Sequence, residues 1–280
     1  MTTLDGRAGH DGDNPLDRIE RYYDSVPRVG GARAEDFGPL TLFVQEDPQG
    51  WAYYARPVLG GGGPVTEADV RTVLARQREL GVPAAFEWVA ETTPGLRAAV
   101  EAAGIPVHAH PLMVLDPAAE PLPPHPEVRL FGADDPLLRA AVTVPMLAFG
   151  APGTALGEAG PAELAQQLAD PACEARRAYV AQKLAAGTTA LAAAVRDGVV
   201  LCSGQYNPAG EVAEVVGVGT LPAARRQGLA LGVTAALVAA ARAAGAGTVF
   251  LSAGDEDVAR IYERAGFRRT GTALIAELEA

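Results

Sequence analysis

The chain is poor in lysine, in cysteine and in long apolar runs. Lys183 is the single lysine, and 34 acidic against 23 basic side chains leave a formal net charge of −11. This balance disfavours general binding to nucleic acid, although it is compatible with a local basic pocket. The two cysteines, Cys173 and Cys202, lack CxxC spacing. We therefore expect a reducing compartment and no disulfide framework.

No segment has the pattern of a membrane span or of a secretion signal. The longest apolar run, 228–241, falls short of the roughly 20 residues that a spanning helix needs. The first 14 residues are polar and acidic, which is typical of a disordered end. The expectation is a cytoplasmic protein with neither a membrane nor a nucleic-acid partner.

A proline-rich segment divides the chain. Residues 117–126 read PAAEPLPPHP, and proline disfavours both helices and central strands. With 280 residues, 49% of them hydrophobic, the chain has enough material for two packed cores. We expect one domain at 1–116, a linker at 117–126 and a second domain at 127–280.

The two parts resemble each other near their ends. LRAAVEAAGI at 96–105 is similar to VARIYERAGF at 258–267, and an offset of 162 residues places Gly104 on Gly266 and Trp88 on Phe250. Strands and helices alternate in the same order in both stretches. The pattern favours a diverged internal duplication, with chance recurrence of helix–Gly–strand punctuation as the alternative.

The stretch 215–245 carries the strongest functional signal. An apolar strand pattern ends at a proline, Arg225 and Arg226 follow, and a long Ala/Leu/Val helix pattern then begins at Gln227, with Gly228 at its start. Unpaired N–H groups and the helix dipole make such a terminus attractive to anions, and glycine allows close approach. Arginine adds fixed charge. These features describe a pyrophosphate cradle, the alternative being a surface arginine pair before a buried helix.

Two segments together resemble the GNAT superfamily of N-acetyltransferases. Arg225, Gly228 and Ala230 fit its R/Q-x-x-G-x-G/A acetyl-CoA motif, and YERAGF at 262–267 fits Y-E-[RK]-x-G-F. The resemblance covers 188–277. It implies an α/β (α+β) chain of two tandem GNAT-like domains, each with a mixed, mostly antiparallel central sheet flanked by helices. The first domain is expected to be degenerate and the second to bind acetyl-CoA.

The resemblance also implies roles for individual residues. Backbone groups of 218–220 would pair with the pantetheine arm, and N–H groups of 226–231 would hold the pyrophosphate. Asp255 stands where many members have asparagine, so its contact is in doubt, because an ionised carboxylate cannot donate a hydrogen bond. The expected coenzyme-binding residues are Val218, Gly219, Thr220, Arg225, Arg226, Gln227, Gly228, Leu229, Ala230, Leu231 and Asp255.

Acetyl transfer to an amine needs a proton acceptor and a proton donor. Glu214 lies on the strand before the cradle, where the family often has its general base, and Glu211 or water are the alternatives. Tyr262 suits protonation of the departing thiolate, with core packing as its alternative. In the first part, the loop at 60–63 has glycines but no arginine, and Val100 aligns with Tyr262. We therefore expect no coenzyme there.

His108 and His110 share one face of a strand but have no evident third ligand, so no metal is expected. The favoured function is acetyl-CoA-dependent N-acetylation of a small amine or an amino terminus, by direct transfer in a ternary complex. The alternatives are a non-catalytic acetyl-CoA sensor and an acyltransferase that uses another acyl-CoA. The sequence leaves open the acceptor and whether the chain forms a homodimer.

Overall fold

The computed structural model describes residues 14–47, 53–61 and 63–278. The predicted disordered segment, apart from residue 14, lies outside this range. The first half contains α1 (Pro15–Val29), β1 (Arg33–Phe37), β2 (Leu40–Val44), β3 (Ala55–Pro57), α2 (Glu67–Leu80), β4 (Ala85–Val89), α3 (Leu96–Ala102) and β5 (Val107–Leu115). The second half contains β6 (Val128–Phe131), α4 (Leu138–Phe149), α5 (Pro161–Gln167), α6 (Ala172–Ala185), β7 (Ala190–Arg196), β8 (Val199–Ala209), β9 (Val212–Thr220), α7 (Leu229–Ala243), β10 (Thr248–Ser252), α8 (Glu256–Glu263) and β11 (Phe267–Glu277).

The described strands form one sheet of 11 strands, in the order β1-β2-β3-β4-β11-β5-β10-β9-β8-β7-β6. The last strand of each half is exchanged. β5 pairs with β10 of the second half, β11 pairs with β4 of the first, and β5 and β11 pair with each other. The two predicted sheets are therefore joined into one. The mixed, mostly antiparallel sheet flanked by helices agrees with the expected fold class.

The halves repeat the same elements. Glu67 and Leu229, the first residues of α2 and α7, are 162 positions apart, and this is the offset read from the sequence. Adding it to the bounds of β4 gives 247–251, against 248–252 for β10. The parallel pairs β3–β4 and β9–β10 are equivalent in the two halves. This repetition, with the exchanged strands, agrees with a duplication.

Local sequence signals account for several element ends. Thr66 and Asp69 form the capping box at the start of α2, and Gly81 ends that helix in the left-handed conformation. Asp197 and Gly198, with φ of 50° and 78°, make the hairpin turn between β7 and β8, as the Asp-Gly pair predicts.

Other boundaries differ from the sequence patterns. The polar strand β1 was not predicted, because it lies at the sheet edge and lacks apolar alternation. The pattern WAYYAR at 51–56 predicts a strand; residues 51–52 lie outside the described range, and of the rest only 55–56 belong to a strand, the three-residue β3. The helix expected from Gln227 begins at Leu229. By contrast, the helical pattern at 162–186 is divided into α5 and α6 near Pro171, where the proline in the sequence favours an interruption. The 117–126 segment contains no helix or strand.

Helices cover both faces of the sheet. Phe250 of β10 packs against Tyr22 and Tyr23 of α1, whereas its neighbours Val249 and Leu251 belong to the core that includes α7 and α8. Because successive strand residues face opposite sides, α1 lies on one face and α7 and α8 on the other. Among the described helices, none combines the length and apolarity that crossing a membrane requires.

Candidate active site

A cavity of about 940 Å³ opens where β9, β10, α7 and α8 meet. It gathers most residues that the sequence marked as functional. Gln227 and Glu211 are not part of its wall; the Gln227 amide oxygen instead accepts a hydrogen bond from Arg196 at 2.9 Å. The predicted residues that line the cavity are Glu214, Val218, Gly219, Thr220, Arg225, Arg226, Gly228, Leu229, Ala230, Leu231, Asp255 and Tyr262.

The start of α7 is shaped for an anion. Gly228 occupies the N-cap position with φ of 80°, and Arg226 before it also has a positive φ, of 64°. A Cβ at Gly228 would touch nothing, so the residue is glycine because of its backbone conformation, and the space in front is open. No side chain caps the helix, and its first turn has no acidic residue. Its N–H groups are therefore available to a ligand.

The two arginines of the predicted cradle have different surroundings. The Arg225 guanidinium donates hydrogen bonds to the carbonyl oxygens of Ala148, Ala151 and Ala155, at 2.9, 2.5 and 3.0 Å. Its forked donors therefore join the end of α4 to the segment that follows it, contrary to the expectation that both guanidinium groups face the pyrophosphate. Arg226 is exposed and makes no hydrogen bond or ion pair with any described residue, so its charge remains for a ligand.

The equivalent helix of the first half has the opposite character. The Thr66 hydroxyl accepts a hydrogen bond from the Asp69 N–H at the start of α2, and the Asp69 carboxylate accepts one from the Thr66 N–H at 2.9 Å. Hydrogen bonds from Thr66 lower the pKa of Asp69. Glu67 adds a second carboxylate to the same turn. This terminus is internally capped and negatively charged, so it disfavours a phosphate.

β9 and β10 separate at the cavity. Their parallel pairing runs from Val212↔Thr248 to Glu214↔Phe250 and stops there. On its other side, β9 has a bulge opposite β8, where Gly217 takes a φ of 63°. The backbone of β9 beyond Glu214 consequently has no partner on the β10 side, which leaves a sheet edge inside the cavity.

Glu214 lies where this separation begins. Its carboxylate oxygen Oε1 accepts a hydrogen bond from the Tyr23 hydroxyl of α1 at 3.2 Å. Burial, and then repulsion from Glu87, raise the pKa of Glu214 to about 8, although the bond from Tyr23 opposes the shift. The carboxyl group can therefore exchange a proton near neutral pH. Glu211, the alternative base, is exposed at the other end of the strand and outside the cavity.

Tyr262 lies on α8 with its ring against Phe267, their centroids 6.0 Å apart. It is buried in the wall of the cavity, and burial followed by the nearby Cys202 raises its pKa above the ordinary value. The phenol is thus protonated at neutral pH and can donate. Burial also raises the pKa of Cys202 to about 12, so this thiol is not a reactive thiolate.

Asp255 has a structural partner. Its carboxylate accepts a hydrogen bond from the Val258 N–H at 2.8 Å and caps α8. His110 was considered only as a metal ligand, yet it lines the cavity from β5. The exchange of strands brings it there, and no local pattern marks that position. Among the described residues, no group of three or more His, Cys, Asp or Glu could hold a metal ion.

Comparison with known proteins identifies the fold and one domain. Residues 163–267 match the Acetyltransferase (GNAT) family. A GCN5-related N-acetyltransferase from Kribbella flavida is 22% identical, covering 96% of this chain and 97% of its own, with a TM-score of 0.67.

Two further solved structures share the fold over most of the chain. A putative GNAT-family acetyltransferase from Novosphingobium aromaticivorans is 20% identical, with coverage of 95% and 97% and a TM-score of 0.56. A tandem GNAT protein from the clavulanic acid biosynthesis pathway is 16% identical, with coverage of 86% and 78% and a TM-score of 0.54. No protein of curated function matches. The range that matches the Acetyltransferase (GNAT) family model, 163–267, contains α7 and the cavity residues Glu214 and Tyr262.

Proposed function

We propose that the chain is an acetyl-CoA-dependent N-acetyltransferase that acts on a small amine or an amino terminus. The observation that carries the proposal is the contrast between the two equivalent helices. The start of α7 is uncapped, free of carboxylates and open, whereas the start of α2 is capped by Thr66 and carries two carboxylates. Only the first of these suits a pyrophosphate.

In this proposal the N–H groups of residues 226–231 and the Arg226 guanidinium hold the pyrophosphate. The unpaired edge of β9 at 218–220 holds the pantetheine arm through backbone hydrogen bonds, as an added strand would. Arg225 acts indirectly, because its guanidinium fixes the loop beside the cavity. Asp255 shapes the same wall by capping α8.

The chemistry assigned to the cavity is direct transfer. The neutral amine attacks the thioester carbonyl, a C–N bond forms, and the C–S bond then breaks. Glu214 accepts the proton that the amine loses, and the Tyr262 phenol gives a proton to the departing thiolate. The raised pKa of Glu214 makes its carboxylate a stronger base, and the raised pKa of Tyr262 keeps the phenol protonated at neutral pH.

We also propose a division at 1–116, 117–126 and 127–280, in which the first half binds no coenzyme. In this proposal the first half forms part of the acceptor-binding side of the cavity. It supplies Tyr23, which contacts Glu214, and His110, which lines the cavity. Free, buried Cys173 and Cys202 support the proposed cytoplasmic location.

Release of free thiol from acetyl-CoA tests the function. The assay uses 1,4-diaminobutane, 2-phenylethylamine, glucosamine and the tripeptide Ala-Ala-Ala as acceptors, and propionyl-CoA and butyryl-CoA as alternative donors. Amine-dependent release by the wild type, lost in Glu214→Gln and Tyr262→Phe, is expected. Tight acetyl-CoA binding without release for any acceptor would instead identify a sensor. Faster release from a longer acyl-CoA would identify a different donor.

A further inference from the structure

His110 is placed in the cavity by the exchange of strands. It lies on β5, opposite Ala273 of β11, and is half-buried. Although it belongs to the first half, it lines the cavity of the second. Nothing in the proposed chemistry uses it so far.

The hydrogen bond of the imidazole determines which nitrogen faces a ligand. Nδ1 lies 3.0 Å from the carbonyl oxygen of Gly254, which can only accept. Nδ1 therefore carries the hydrogen, and in the neutral ring Nε2 keeps its lone pair. Within the described residues, Nε2 makes no hydrogen bond.

The strand registers place His110 on the face of the sheet that carries Glu214. Glu214 pairs with Phe250, and Phe250 pairs with Val114. Val114, Leu112 and His110 alternate on β5 and so share that face. Continuing the β9–β10 register past its last pair brings Gly254 level with Val218, four residues beyond Glu214. The imidazole is thus level with the unpaired edge of β9, and Glu214 lies where the opening begins.

We propose that His110 is an acceptor-binding residue, whose Nε2 accepts a hydrogen bond from the acceptor and holds it in the opening between β9 and β10. This inference rests on the proposed acetyltransferase function. It implies an acceptor with a second hydrogen-bond donor, such as a hydroxyl or a further amine, beside the reacting nitrogen. In this proposal both halves of the chain contribute residues to the acceptor site.

Two substitutions separate this role from a structural one. In His110→Asn the amide N–H replaces Nδ1–H toward Gly254, and no acceptor remains at the position of Nε2. In His110→Gln the amide oxygen reaches that position. The matched control is His108→Ala, on the same face of the same strand, exposed and outside the cavity.

Steady-state kinetics use whichever of 1,4-diaminobutane, glucosamine and Ala-Ala-Ala the wild type turns over fastest, because each carries a second hydrogen-bond donor. Turnover of 2-phenylethylamine alone, which lacks such a donor, would overturn the proposal. We expect His110→Asn to raise the KM for this amine about tenfold, with kcat and the KM for acetyl-CoA nearly unchanged. His110→Gln should recover most of the loss, and His108→Ala should behave as the wild type.

An unchanged amine KM in His110→Asn overturns the proposal, as does a matching rise in His110→Gln or a rise only in the KM for acetyl-CoA. A wild type that turns over none of the amines refutes the proposed function itself, and is therefore distinct from failure at His110. Thermal unfolding of each variant shows whether it is folded, and a misfolded His110→Asn leaves the comparison of His110→Gln with the wild type to decide.

Discussion

A carboxylate at the third position of α7 should abolish most of the affinity for acetyl-CoA. Leu231 is 162 positions from Asp69, the residue that closes the start of α2. Leu231→Asp therefore recreates in α7 the charge and the internal cap of the first-half helix. Its carboxylate would compete for the N–H groups at Gly228 and repel the pyrophosphate.

The magnitude follows from the charge. A carboxylate about 6 Å from one phosphate charge, at an effective dielectric constant near 20, opposes binding by about 3 kcal/mol. This energy corresponds to a rise of about a hundredfold in Kd. Leu231 is partly buried against the core, so its replacement also removes packing. Leu231→Asn removes the same packing without adding charge and is the matched control.

Isothermal titration calorimetry at low salt measures both variants. The expected result is a Kd for Leu231→Asp about a hundredfold above that of Leu231→Asn, with the difference shrinking as salt is added. Equal Kd values for the two variants would refute the assignment of the α7 terminus as the pyrophosphate site.

Three further predictions concern the same cavity. Gly228→Val should weaken acetyl-CoA binding more than tenfold, because valine disfavours the φ of 80° and fills the open approach. Arg226→Ala should weaken binding less, since the backbone donors remain. Calorimetry that gives the reverse order of the two Kd values would contradict this. If ionised Glu214 is the base, kcat of the wild type should rise with pH through about 8. Glu214→Gln should lower kcat about a hundredfold and remove that inflection, and the affinity for the coenzyme should stay the same. A pH–rate profile that is unaltered in the variant would point to water as the base. Titration should give one acetyl-CoA per chain, and a second site would show that capping by Thr66 does not prevent binding.

Local chemistry made part of this molecule predictable. The capping box at Thr66, the turn at Asp197 and the glycine at the start of α7 each depend on residues close in sequence, and of these the glycine was predicted from the motif. The position of Glu214 and Tyr262 in one cavity was also predictable, because the spacing of the two sequence motifs indicated a shared site. Their roles remain predictions.

Features that depend on distant contacts were not predictable. Arg225 donates to three carbonyl oxygens at the end of α4 and in the segment after it, and nothing in the motif indicates which arginine has such partners. The place of His110 depends on which strands pair. Two equivalent strands with similar apolar patterns can pair within their own half or across to the other, and hydrophobic alternation is the same in both arrangements.

If the first half binds no coenzyme, as proposed, the exchanged strands give a reason for the chain to keep it. β10 has β5, a first-half strand, on one side, and on the other side it is joined to β9 only up to Glu214. Removing the first half would leave β10 with an open edge beside the cavity, and β11 would lose both its neighbours, β4 and β5. It would also remove the Tyr23 hydroxyl from Glu214. An acidic start of α2 would therefore cost the first half only its own coenzyme binding. The second half would still need β5, the last strand of the first half, and α1, its first helix.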